Sequence, residues 1–315
     1  MYSTPVHVEL SKTTPTDTAS LTTRYERHPA FDLFEHRSKR TRPASGDGGW
    51  LVTPDSTSES PRTLSTVETT VGVLTALRDC DGATVSELAD RLDLSRPGVY
   101  KHLATLAECD LVVQRGDTYH LALHLLPLGQ YVRHGDPLYR SSETVVEVLA
   151  AETGGFVHLT AEEYGRGIHV RTASGEHGVG ITYHDAGLER PDYLHCTATG
   201  KAILATYSRE RVDAILDEHG LPEKTDDTIT SRARLHETLE TIRERGYAVN
   251  DEEELAGLRA VGAPITPTDS DVLGAISVSG PVSRLSGETF AETLPMSVIE
   301  VANVIEVTVE TDVSE

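Results

Sequence analysis

The chain has 315 residues, with 28 basic and 50 acidic side chains and a formal net charge of -22. At roughly 100–200 residues per domain, that length predicts two domains. An apolar content of 38% with 25% charged residues excludes wholesale disorder. No apolar run approaches the ~18 residues of a membrane helix, so no membrane partner is expected. The first residues lack the basic-then-apolar order of a secretory signal. Cys80, Cys109 and Cys196 are far apart and form no C-x-x-C pair, which argues against a disulfide framework or a cysteine zinc site. A reducing, cytoplasmic setting fits.

The kind and placement of charge say more. Only 5 basic residues are lysine and 23 are arginine. An acidic excess with scarce lysine resembles proteins of salt-loving archaea, and halophilic adaptation is expected. Such acidity ordinarily counts against DNA binding. Yet residues 1–61 hold 7 basic and 8 acidic side chains, residues 62–133 hold 7 and 9, and residues 134–315 hold 14 and 33. The middle segment is nearly neutral. Within it, residues 95–107 carry Arg96, Lys101 and His102 and no acid, a local positive face.

In chain order, residues 1–60 show no sustained period and are rich in Ser, Thr, Pro and Gly. They read as a disordered extension or a start codon placed too far upstream. The sole tryptophan, Trp50, lies there, as does a basic cluster from Arg37 to Arg42. From residue 64, Val67, Val71, Leu74 and Leu77 recur at helical spacing and predict a helix over 68–78 with that stripe inward. Thr84 and Glu87 have capping-box spacing and open a short helix with Leu88 and Leu92 inward. After an Asp93–Leu94 turn, Ser95 is a good N-cap and Pro97 is tolerated in the first turn. The third helix runs to about 108, with Val99, Leu103 and Leu106 buried. Residues 111–115 and 119–122 flank a Gly116-Asp117 turn, a hairpin signal. Three helices and a hairpin predict a winged helix-turn-helix domain over 61–123.

A linker helix is expected over 125–134, within a linker of 124–135, and a single helix over 138–152. Strands follow at 156–161, 168–173 and 179–184, and helices at 199–207, 209–218 and 232–245. Further strands fall at 247–250, 258–265 and 272–279. A closing helix over 286–306 is interrupted by Pro295, and an acidic tail occupies 309–315. The fold class is α+β: a winged helix-turn-helix joined by a helix to an α/β domain over 136–308.

The second helix of a helix-turn-helix pair turns its first residues to the major groove. The outer face here carries Arg96, Pro97, Tyr100, Lys101 and Thr105. Arg96 suits bidentate recognition of guanine. Ser95, Tyr100 and Lys101 suit phosphate or sugar contacts. Arg115, at the wing turn, is placed to reach the adjacent groove or backbone. The expected partner is double-stranded promoter DNA.

Three motifs mark the C-terminal part: LHCTATGKAILA over 194–205, GYAVNDEEELAGLR over 246–259 and GAISVSGP over 274–281. In this order, behind a winged helix, they resemble the IclR-type transcription regulators across about residues 62–308. The resemblance implies a GAF-like effector domain, a homodimer or homotetramer, and control of promoter binding by a small effector. It carries effector contacts onto Ala198, Thr199, Asn250, Leu258, Ala260, Ser277 and Ser279. Asn250 stands where aspartate is frequent, and Ala260 where cysteine is often found, which puts the identity of the effector in doubt.

The residues support a similar site by themselves. Thr197, Ala198, Thr199 and Gly200 open a helix whose free N–H groups favour an anion such as a small organic acid. Lys201 either helps hold that acid or pairs with a structural carboxylate such as Glu253. Ser277 and Ser279 alternate on one strand and share a face.

No catalytic residue, metal site or cofactor is expected. The ATPase reading fails because His195 stands where a phosphate loop needs glycine, and Ala202 follows Lys201. There is no G-x-S-x-G elbow. The alternatives are a GAF-like small-molecule enzyme with a vestigial winged helix, or a protein-interaction module.

Overall fold

The computed structural model describes residues 63–176, 191–267 and 274–312. The expected features of residues 1–60, the strand at 179–184 and the first two residues of the strand expected over 272–279 lie outside the described residues.

The N-terminal part contains α1 (Ser65–Asp79), α2 (Val85–Leu92), α3 (Arg96–Glu108), β1 (Val112–Arg115) and β2 (Thr118–Leu121). The sequence signals at the starts of α2 and α3 are realised in hydrogen bonds. Thr84 accepts from the Glu87 N–H, and the Glu87 carboxylate accepts from the Thr84 N–H at 2.8 Å. Asp93 takes a left-handed conformation at φ 52° between α2 and α3, a geometry that aspartate tolerates better than most residues. Ser95 accepts from the Gly98 N–H at 3.2 Å. Leu88, Val99, Leu103 and Leu106 close one core with Leu77, Val112 and Tyr119, while Leu92 packs at its edge.

The face expected of α1 needs correction. Val73, Ala76 and Leu77 are its buried residues, Leu74 is partly buried, and Val67 and Val71 are each 55% exposed. Two apolar stripes coexist on this helix, and spacing alone does not say which one packs inward. The same holds for α4 (Leu125–Gly135), the expected linker helix, which buries no residue.

The single helix expected over 138–152 is two: α5 (Pro137–Ser141) and α6 (Glu143–Thr153). The Tyr139 carbonyl accepts from the Arg171 guanidinium at 2.9 Å and from the Ser142 hydroxyl at 3.4 Å. Those donors compete with helix continuation, and Ser142 departs to φ -116°, ψ -4°.

A six-stranded sheet follows, built from β3 (Phe156–Glu163), β4 (Arg166–Ser174), β5 (Asp192–Tyr193), β6 (Ala248–Asp251), β7 (Leu258–Ile265) and β8 (Gly274–Pro281). Its order is β5-β4-β3-β8-β7-β6, and every neighbouring pair is antiparallel. The helices α7 (Ala198–Thr206), α8 (Arg209–His219), α9 (Arg232–Arg245) and α10 (Leu294–Asp312) complete the layers. The last segment also differs from expectation. A π-helical turn spans Thr289–Thr293, Pro295 lies in the first turn of α10, and α10 continues to Asp312. Residue 309, expected in an acidic tail, is a buried valine of that helix.

Strand alternation sorts side chains onto two faces. Val157, Leu159, Val261, Ala263, Ile276 and Val278 join α5, α6 and α10 in one core. Leu194, α7, α8, α9, Ala248 and Ala275 form a second core. Helix α7 lies tight against its surroundings because two glycines leave room. A Cβ at Gly200 would sit 2.4 Å from the Leu194 backbone, and one at Gly262 would sit 3.1 Å from the Ala198 backbone.

Candidate functional site

Two sites emerge. The first is the outer side of α3. Ser95, Arg96, Pro97, Tyr100, Lys101 and Thr105 are exposed, while Val99, Leu103 and Leu106 are buried. Arg96, Lys101 and Arg115 engage no acidic side chain among the described residues. Asp79, at the end of α1, is drawn to Arg78 at 3.0 Å and Arg91 at 3.4 Å. Arg115 is exposed beside Gly116, whose positive φ of 62° makes the wing turn. Thr105 donates its hydroxyl to the Lys101 carbonyl at 3.0 Å.

The second is a small cavity between the sheet and the start of α7. Thr197, Ala198, Thr199, Asn250, Leu258, Ala260, Ser277 and Ser279 line it. Eight of the nine effector residues expected from sequence therefore meet there. The ninth, Gly200, is absent from the lining; its lack of a side chain makes room for the Leu194 backbone. The Thr197 hydroxyl caps α7 by accepting from the Gly200 N–H at 3.0 Å. Helix geometry leaves the Ala198 and Thr199 N–H groups without an intrahelical acceptor.

Lys201 does not reach into the cavity. Its ammonium, 1% exposed, pairs with the Glu253 carboxylate. Burial holds the Lys201 pKa below its ordinary value and raises that of Glu253, each opposed by the charge of the other. The pair braces the loop between β6 and β7. Glu253 also donates its N–H to Asn250 Oδ1 at 2.9 Å, and its carbonyl accepts from the Thr228 hydroxyl at 2.6 Å. Asn250 is thus held by its own loop, and its Nδ2 donates to Glu254 at 3.4 Å.

Sequence reasoning missed four lining residues: His158, His169, Asp192 and Glu254. His169 bonds Asp192 through Nε2 at 2.9 Å and Thr160 through Nδ1 at 3.0 Å. The His158 and His169 rings lie 4.6 Å apart. The available signal was alternation: His158 lies between the inward Val157 and Leu159, so it faces the other side of β3. The pairing of β4 with both β3 and β5 is not visible in sequence.

Neighbouring Cys196 and His195 serve structure. Burial pushes the Cys196 thiol up to about 12 and the His195 pKa down. His195 Nε2 meets the Pro222 carbonyl at 3.1 Å. Among the described residues, no cluster of three His, Cys, Asp or Glu side chains could hold a metal ion, and no helix is long and apolar enough to cross a membrane.

Comparison with known proteins assigns both parts of the chain to one family. The family described as "IclR helix-turn-helix domain" matches residues 66–116, and the one described as "Bacterial transcriptional regulator IclR C-terminal" matches residues 130–307. The chain is 38% identical over 252 residues to the probable HTH-type transcriptional regulator ArcR of Halobacterium salinarum, covering 80% of this chain and 96% of that protein. It is 30% identical over 240 residues to the HTH-type transcriptional regulator KdgR of Escherichia coli, covering 76% of this chain and 90% of that protein. The solved IclR of Thermotoga maritima superposes with a TM-score of 0.62 at 27% identity, over 78% of this chain and 98% of that one. An IclR-type regulator from Alicyclobacillus acidocaldarius gives 0.68 at 25% identity, over 79% and 100%. The chain belongs to the IclR family of transcriptional regulators, with a helix-turn-helix DNA-binding domain ahead of a C-terminal effector domain.

Proposed function

We propose that this regulator docks on palindromic promoter DNA through the exposed start of α3 and the wing. Arg96 reads a guanine edge, Ser95, Tyr100, Lys101 and Thr105 seat the helix against the backbone, and Arg115 reaches the neighbouring groove. The observation that carries this reading is an exposed helix start with two unpaired cations and no acid before Glu108. The test is genomic-DNA capture with the wild type and an Arg96→Ala/Lys101→Ala variant. Unchanged operator recovery by the variant removes the mechanism.

The effector is a small organic acid held at the α7 start, with Thr197, Ala198, Thr199, Asn250, Leu258, Ala260, Ser277 and Ser279 around it. Its binding shifts the population between DNA-competent and incompetent arrangements in proportion to its differential affinity. The linker helix α4 couples the two parts. Leu125, Leu128 and Val132 of α4 face Ile168 and Val170 of β4 across a groove, and His169 lines both that groove and the effector cavity.

The chain works as a homodimer or homotetramer in the cytoplasm, at high salt. Exposed Leu64, Val67 and Val71 on and before α1, and Leu126, Tyr131 and Val132 on α4, supply apolar faces for a second copy. An enzymatic reading is disfavoured by Cys196: a buried thiol with a pKa near 12 is no nucleophile at neutral pH.

A further inference from the structure

Helix α3 is held to its domain mainly by aliphatic contacts. Val99, Leu103 and Leu106 pack into one core with Val73, Ala76, Leu77 and Leu88. Such contacts are non-directional, so they set the depth of a helix better than its roll about its own axis. A helix side chain ends about 5–6 Å from the axis, so a roll of about 15° swings its tip by about 1.4 Å. A recognition group tolerates only about 0.5 Å or 10–20° of misplacement. One directional bond is available to fix the roll. His102 Nδ1 lies 2.8 Å from the Thr70 hydroxyl oxygen and joins the middle of α3 to α1. Among the described residues it is the one side-chain hydrogen bond or ion pair between α3 and another helix or strand. Donor counting gives its sense. The Thr70 hydroxyl has a single proton, which goes to the Thr66 carbonyl at 2.7 Å. Its oxygen therefore accepts from His102, and Nδ1 carries the proton.

We propose that His102, donating Nδ1–H to Thr70, is a positioning residue for DNA reading: it sets the roll of α3 and with it the aim of Arg96 and Lys101. The inference rests on the reading of the outer side of α3 as the DNA-docking face. Lys101 is the neighbour of His102, and Arg96 stands within two turns before it, so one rigid helix carries both the tie and the readers. Base-edge contacts need close aim and weaken when the tie is cut. Contacts to the phosphate backbone carry no sequence information and tolerate displacement. Cutting the tie therefore costs discrimination between sequences, while the fold and general affinity for DNA stay.

The test uses the full chain in concentrated potassium chloride and two duplexes: the operator recovered by genomic-DNA capture, and a scrambled duplex of the same base composition. Thr70→Val and His102→Leu remove the bond. Thr70→Ser keeps the acceptor, and His102→Asn offers an amide N–H in place of Nδ1–H. Thr70→Val should lower the ratio of operator to scrambled affinity about tenfold, with scrambled affinity within about twofold of wild type. Its Tm should fall by no more than about 6 °C, the loss of one hydrogen bond. Thr70→Ser should recover most of the ratio, and Thr70→Val with His102→Leu should lose no more than either alone. Nitrogen NMR of the imidazoles at alkaline pH should show His102 as the Nδ1–H form in the wild type and lose that form in Thr70→Val. Where Thr70→Val unfolds, His102→Asn set against His102→Leu makes the same comparison. A ratio that stays within about twofold of wild type when the bond is removed overturns the proposal. So does a loss that Thr70→Ser fails to recover, or a wild-type His102 in the Nε2–H form. Unchanged operator binding by Arg96→Ala/Lys101→Ala overturns the docking face itself, and this inference with it; loss of binding there beside an intact ratio in Thr70→Val overturns this inference alone.

Discussion

Lys201→Met isolates the buried ion pair. The ammonium is 1% exposed and Glu253 is 8% exposed, so the variant leaves a carboxylate inside the domain with no cation. Breaking a buried pair from one side costs about 3–5 kcal/mol. For domains of this size each kcal/mol moves Tm by roughly 2–4 °C, which gives a fall of about 6–20 °C. The loss should depend on pH. Lys201 pulls the Glu253 pKa down against burial, and without it that pKa rises further above its unfolded value near 4.5. The folded variant then holds a proton that the unfolded chain releases. Its deficit should be small at the acid end, grow as pH climbs above about 4.5, and become full once Glu253 ionises in both states. Adding Glu253→Leu should recover most of the loss, because a packed apolar pair of similar volume is nearly neutral. Thermal unfolding by near-ultraviolet circular dichroism, across pH and at high salt, reads all three variants. Additive losses from the two single substitutions would refute the pairing. A Lys201→Met protein that melts within about 2 °C of wild type yet no longer binds acids would make Lys201 a ligand group instead.

The DNA interface, the oligomer and the thiols each give a further test. Lys101→Ala should reduce the slope of log affinity against log salt by about 1 per protomer, whereas Arg96→Ala should cost about 1–3 kcal/mol at one base pair with loss of discrimination there. The wild-type slope itself should be shallow; one implying about eight or more released ions contradicts a docking that uses few cations. Val71→Glu with Tyr131→Glu should halve the mass seen by light scattering after gel filtration, and an unchanged mass rules out these faces as the interface between copies. Native alkylation should label exposed Cys80 and Cys109 and spare buried Cys196, with all three labelled in denaturant; mass spectrometry of the Cys196 peptide from native protein decides it.

Legibility in the sequence followed the range of the interactions. The capping box at Thr84 and the serine cap at Ser95 are bonds between residues three apart, and both are where local chemistry puts them. The lining of the cavity by Ser277 and Ser279 follows from period-two alternation, and by Thr197 to Thr199 from a helix start. What stayed hidden came from afar. Arg171 reaches 32 residues back to the Tyr139 carbonyl and helps divide a helix that looks continuous. The inward face of α1 depended on which of two apolar stripes α2 and α3 would meet. Asp192 enters the site only because β5 pairs with β4, a two-residue bridge with no periodicity of its own. Lys201 showed the limit most plainly. Sequence offered either an effector ligand or a partner for Glu253, 52 residues away, and packing chose the latter.

The acidity of the chain and its DNA binding are reconciled by distance and screening. The C-terminal part holds 33 acids against 14 bases, while the acid-free start of α3 lies on the winged helix. At 1 M salt the Debye length is about 3 Å, so carboxylates more than one side chain away contribute little to the field at α3. The same screening weakens phosphate contacts, and more so the more of them there are. A surface with few cations loses least. Arg96 is suited to this regime because bidentate hydrogen bonds to a base edge keep their geometry when long-range attraction is gone. Inside the effector domain the Lys201–Glu253 pair is shielded from solvent ions and keeps its strength. Concentrated salt therefore favours a division in which short, directional contacts carry recognition and buried pairs hold the scaffold, leaving the surface carboxylates to hydration.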